Sequence, residues 1–239
     1  MGSVSTMGVP RAGILAAALA LAFGMLLPTT LAAAGAGGTI IGVVSTKMGA
    51  RPPIRVTTDR TVCGANLPDE SIVVDASGQL ANVVVTVTGV QAGAPAEVLV
   101  SNEKCRFVPR VALVKPGGVI KVTNKDPGTV LHTTHAIRAD GKDLFNIALP
   151  VQNMVLKQSS GTKTGPLKLV CETHTWMRGW LFVSDELSAI SGTDGTFKIE
   201  NVPAGSREIR VWHEELSGPA QKVTVEEGKT VTVNFTLTK

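Results

Sequence analysis

From Gly38 to the C-terminus, apolar and polar residues alternate in one short run after another, as in "NVVVTVTGV", "VIKVTN", "TFKIENV" and "TVTVNFTL". Alternation with a period of two turns one face of an extended chain to a core and the other to water, so each run predicts a strand. "TIIGVVS", "SIVVD", "RVALV", "LKLVC", "WLFVS", "EIRVWH" and "QKVTVEE" read the same way, with Gly, Pro, Asn or Asp between them. Helical periodicity is absent past residue 38. The pattern predicts an all-β chain, a β-sandwich of packed sheets with Greek-key or hairpin connections.

The N-terminus has a different character. Arg11 precedes an apolar run from Ile14 to Leu27, and Ala32-Ala33-Ala34 supplies small residues, the build of a secretory signal peptide over residues 1–34. The run is shorter than the roughly 20 residues that a membrane span needs. No second run of spanning length follows, so the expected product has no membrane span after cleavage and is periplasmic or secreted, with one large or two small domains. Arg11 is the only charged residue before position 35, so its loss takes the formal charge from +4 to +3. The charges of both signs are scattered without a Lys/Arg cluster, which gives no support to nucleic-acid binding.

Export changes the meaning of the three cysteines, because an oxidising compartment allows two of them to pair. Cys171 stands in "CETHTWM", with His174 and Met177 at three-residue intervals, so Cys63 and Cys105 are the candidates for a disulfide. Taken singly, Cys171 reads as a small buried hydrophobe, His174 as a satisfied core histidine and Met177 as a gap-filler. Together they are a thiol, an imidazole and a thioether on one loop ahead of a predicted strand.

A metal site needs a donor from elsewhere in the chain. In "CRFVPRVALVKPGGVIKVTNKDPGTVLHTTHA", the P-G-x-x-V strand start, the N-x-D end and the histidine that follows resemble the corresponding part of cupredoxins, the blue copper proteins. The C-x-x-H-x-x-M loop and the flanking "WMRGW" are similar to amicyanin and methylamine-utilisation-like proteins. The resemblance implies a cupredoxin-like Greek-key sandwich over residues 101–185, with copper held by His132, Cys171, His174 and Met177. Two imidazoles and a thiolate in a trigonal set with a weak axial thioether suit both Cu(I) and Cu(II). It further implies a one-electron carrier with a redox partner protein rather than an enzyme, or else a copper-binding or copper-delivery protein.

His135 lies three residues after His132, and on a strand the two point to opposite faces, so His135 is either the alternative ligand or an electron-entry residue. The chain departs from the family pattern at Thr133, where Asn is common, at Thr175, where amicyanin-like loops have Pro, and at Arg110, where related sequences often show His. His213 in "VWHEEL" reads as a half-exposed strand end, or as a ligand oriented by a carboxylate. Four histidines are too few for the trinuclear centre of a multicopper oxidase.

Residues 187–239 resemble the later strands of a carboxypeptidase regulatory-like or Cna-B-like sandwich, on "DGTF", "NVPAG" and "VTVEEGKTVTVNFTL". About 50 residues make a thin core, so the opening strands are expected within residues 38–100. The copper segment is then either an insertion between the two halves or one member of a simple tandem.

Overall fold

The computed structural model describes residues 1–3, 8, 37–91 and 93–239. The run read as a signal peptide lies outside them, apart from residues 1–3 and 8. Among the described residues no helix is long and apolar enough to cross a membrane.

The chain opens with β1 (Gly38–Thr46). It then makes an excursion through β2 (Ile54–Arg55), a single helical turn α1 (Arg60–Cys63) and β3 (Asn66–Leu67) before β4 (Val84–Gln91). Nine strands follow without a helix: β5 (Glu97–Glu103), β6 (Arg106–Val108), β7 (Val111–Val114), β8 (Val119–Asn124), β9 (His132–Arg138), β10 (Asp143–Leu149), β11 (Val155–Ser159), β12 (Gly165–Val170) and β13 (Arg178–Val183). The last six are β14 (Glu186–Ile190), β15 (Thr196–Val202), β16 (Gly205–Trp212), β17 (Gln221–Val225), β18 (Thr230–Thr232) and β19 (Phe235–Leu237).

Strands β5 to β13 form two facing sheets, in the orders β10-β9-β12-β13-β7 and β11-β8-β5-β6. The parallel pairs β13–β7 and β5–β8 mark the crossovers of a Greek key. Between the sheets lies an apolar core that includes Val100, Phe107, Ile120, Leu169 and Leu181, and Val56, Cys63 and Leu67 of the excursion join it. The other strands form a second pair of sheets, β14-β4-β16-β17 and one built on β1, which pairs with β15, β18 and β19. Their core is separate and contains Ile40, Val85, Phe197, Ile209 and Phe235. The molecule is therefore all-β, with two sandwiches. Gly42 of β1 lets the chain pass tightly, since a Cβ there would collide with the Val233 carbonyl.

The two sandwiches meet through Trp212 of β16, whose ring lies 5.3 Å from Trp180 and 5.5 Å from Phe182 of β13. Beside these rings Arg110 binds Glu214 at 2.6 Å with both side chains under 10% exposed. A buried pair of this kind costs about 3–5 kcal/mol to break from one side, because the surviving charge has no partner.

Two differences from the sequence pattern have physical causes. "SIVVD" is not a strand: only Val74 makes a bridge, to Leu80. The Asp75 carboxylate accepts the amides of Ser77 and Gln79 and closes a turn at once. Strands β10, β11 and β14, absent from the pattern, are sheet edges: β11 has mixed faces, while β10 turns Phe145, Ile147 and Leu149, and β14 turns Leu187 and Ala189, towards cores that cover all but Leu149 only in part.

Candidate metal centre

β9 escapes the pattern for a more informative reason: its inward residues are polar. Burial alternates along His132–Arg138, and His132 and Thr134 are fully buried. His132 faces the loop between β12 and β13, which carries the remaining candidate donors. The loop is closed by its own backbone, with the Met177 amide donating to the His174 carbonyl at 2.8 Å and the Cys171 amide to the Met177 carbonyl at 3.4 Å. Gly179 is required just beyond it, where a Cβ would sit 2.9 Å from the Phe107 Cβ.

The structure brings His132, Cys171 and His174 together. The two Nδ1 atoms are 3.2 Å apart, and the Cys171 Sγ lies 4.0 Å from His132 Nδ1 and 3.8 Å from His174 Nδ1. A metal bonded at about 2.0 Å to nitrogen and about 2.3 Å to sulfur spaces such donors by roughly 3.3–3.8 Å. The donor set therefore fits a metal ion, and its softness suits copper. Met177 is 2% exposed and shares the core with Cys171, tied through its backbone to both Cys171 and His174.

Each imidazole has its outer nitrogen engaged. His132 Nε2 donates to Asp126 at 2.8 Å, and His174 Nε2 donates to Asp59 at 2.9 Å. A carboxylate only accepts, so both rings carry the proton on Nε2 and turn Nδ1 inward. Asp126 is held in turn by the amides of Lys104 (2.6 Å) and Cys105 (2.9 Å). Cys63 and Cys105 are joined in a disulfide, and Cys171 is the free cysteine.

The charges follow from these contacts. Burial works against the Cys171 thiolate, but the contacts with His132 and His174 and the Thr133 amide outweigh it and bring the thiol down to about 5. Burial likewise lowers His132, yet Asp126 and Cys171 raise it to about 9. His174 is also raised, with burial opposed by Cys171 and Asp59. The metal-free site is thus a thiolate beside protonated imidazole, poised to exchange protons for a cation.

Thr133 supplies the cross-link to the loop that carries Cys171 and His174. Its amide donates to Cys171 Sγ at 3.4 Å, its hydroxyl donates to the same sulfur at 3.7 Å, and the hydroxyl accepts the Glu172 amide at 2.7 Å. His135 lies on the other face of β9, between Glu172 at 2.6 Å and Asp143 at 2.8 Å, away from the three clustered donors. Arg110 binds Glu214 and also donates to the Arg178 carbonyl at 2.7 Å, which braces the end of the β12–β13 loop. His213 is buried rather than half-exposed, at 7%. Its Nδ1 accepts the amides of Glu215 and Leu216, and burial pushes it down to about 4, so it is a neutral core histidine.

Sequence reasoning missed Asp59 and the orienting role of Asp126. Asp126 had a signal in the N-x-D motif. Asp59 had none beyond standing four residues before Cys63, because its partner His174 is 115 residues away.

No family model matches the chain, and no curated protein matches it. Solved structures do. The chain is similar to a copper-containing nitrite reductase from Thermus scotoductus SA-01, at 22% identity over 41% of this chain with a TM-score of 0.31, and it spans only 24% of that enzyme. It is similar to a purple cupredoxin from Nitrosopumilus maritimus, at 24% identity over 38% of this chain and 100% of the other, with a TM-score of 0.31. It is also similar to amicyanin from Paracoccus versutus, at 18% identity over 42% of this chain and 97% of the other, with a TM-score of 0.32.

Proposed function

We propose that this chain is an exported mononuclear copper protein that carries single electrons to or from a partner protein. In this reading His132, Cys171 and His174 hold the metal, Met177 is the weak axial donor, and residues 97–183 are an insertion in the second sandwich. The observation that carries it is the convergence of two inward Nδ1 atoms and one thiolate within 4.0 Å of one another, in a site closed to water.

Bound copper would supply a one-electron couple. The protein's part is to keep the donors fixed in both oxidation states, so that little reorganisation accompanies transfer. Asp59 and Asp126 fix the two rings, Thr133 fixes the sulfur, and the surrounding apolar side chains exclude water. We assign no enzymatic step to the chain.

A second reading, copper holding or delivery, is favoured by a specific observation: His174 is fully buried, which leaves no ligand edge for a partner to touch. The spectrum of the mature protein after addition of Cu(II) tests the site. The expected result is an intense thiolate-to-copper band with narrow hyperfine splitting, lost in Cys171→Ser even if that variant retains some metal. Reversible one-electron voltammetry supports the carrier, whereas stoichiometric copper with no reversible wave leaves holding or delivery.

A further inference from the structure

The segment that covers His174 belongs to neither sheet of the first sandwich. It is the excursion from β2 to β3, closed on itself by the Ile54–Leu67 pairing and by the Val56 amide donating to the Ala65 carbonyl at 3.0 Å. Asp59 stands at the N-terminus of α1 in a left-handed conformation, with φ of 49°. An aspartate in that position ordinarily accepts the amide two or three residues on. This one makes no such bond; its carboxylate accepts from His174 Nε2 instead.

We infer that Asp59 is a positioning residue for His174, and that the Cys63–Cys105 disulfide holds the two orienting carboxylates, Asp59 and Asp126, in place as one unit. The inference rests on the metal-site reading and adds an outer layer to it.

The connectivity carries the argument. The Cys63 amide donates to the Asp59 carbonyl at 2.8 Å, so one half of the bridge belongs to the turn that aims Asp59. The Cys105 amide donates to Asp126 Oδ2 at 2.9 Å, so the other half belongs to the turn that aims Asp126. Both bridge sulfurs lie within 4.8 Å of a His174 ring nitrogen, and the Cys105 sulfur lies within 4.8 Å of both Asp126 and His132. Each imidazole thus has a carboxylate behind it, and the bridge ties the two supports together across a separation of 42 residues. Without Asp59 the His174 ring is free to rotate about its bonds or to carry its proton on Nδ1, and either change removes a donor.

Cobalt(II) added to the metal-free protein provides the test, since its visible bands report both affinity and geometry. Asp59→Ala is expected to weaken cobalt binding about 10–100-fold and to broaden or split the bands. Asp59→Asn keeps an acceptor oxygen, and it should recover most of the affinity and the wild-type band shape. Cys63→Ser/Cys105→Ser, which releases both supports, should lose at least as much affinity as Asp59→Ala, with faster metal loss to a chelator. Thermal unfolding of the metal-free variants separates site effects from loss of fold. If Asp59→Ala folds and binds cobalt with wild-type affinity and spectrum, the inference is overturned while the metal site stands. If Asp59→Asn does no better than Asp59→Ala, orientation by the hydrogen bond is likewise overturned. A folded wild-type protein that binds neither cobalt nor copper removes the metal reading, and the inference with it.

Discussion

The two sandwiches spend their interiors differently. The first buries Asn102, Asn124, Asp126, His132, Thr134 and His174 among its apolar residues, along with all three cysteines. The second has a core of Ile, Val, Leu and Phe, with His213 at its margin bonded to backbone amides. Buried polar groups are costly unless hydrogen-bonded, and each added partner narrows the sequences that fold. The second sandwich buries fewer and smaller ones, such as Thr86 and Ser191, both satisfied by a neighbouring hydroxyl or backbone group. The polar network of the first is organised around three inward-facing donors. Asn124 illustrates how far the support extends: its side-chain amide donates to the carbonyls of Val130 and Leu149, framing the turn that delivers His132.

The largest test of this contrast separates the regions physically. Residues 187–239 expressed alone lack β1, the shared partner of β15, β18 and β19, and β4, the shared partner of β14 and β16. Each sheet loses its central strand, so the fragment should show no cooperative unfolding and poor amide dispersion by NMR. A fragment that melts cooperatively would break the insertion reading.

A smaller effect separates the histidines of the two regions by pH. The unfolded chain takes up a proton at His213 near pH 6.5, which the folded chain refuses until about pH 4. Stability from this residue is therefore complete above about pH 6.5 and lost as the pH falls towards 4, by about 3 kcal/mol. His132, raised to about 9, has the opposite sign: its contribution is complete below about pH 6.5 and lost as the pH rises through 9. Denaturant titrations from pH 4 to 7 should show a shallower acid-side loss in His213→Gln than in the wild type. Equal slopes would mean that His213 is not held neutral.

The smallest expected effect is also the most discriminating for Met177. Replacement by Leu nearly conserves volume and should cost under about 1.5 kcal/mol in the metal-free protein. If the thioether is an axial donor, copper stays bound while the potential and the band intensities shift. Unchanged potential and spectrum would make Met177 a packing residue, like those of the second core.

The sequence by itself determined the all-β class, because a period of two survives in the strands that bury an apolar face. It also singled out Cys171, His174 and Met177, since a short loop keeps its spacing whatever the rest of the chain does, and it pointed to the pairing of Cys63 with Cys105. The polar inward face of β9 was illegible, because inwardness is readable only when the inward residues are apolar. Only the tertiary structure decided that His132 rather than His135 lies with Cys171 and His174, since the facing of β9 depends on its register against β10 and β12. It alone placed Asp59 behind His174 and Arg110 against Glu214, pairings that join residues 115 and 104 positions apart. A contact over such distances leaves no local trace in the chain, because what brings its partners together is the packing of strands that are themselves far apart in sequence.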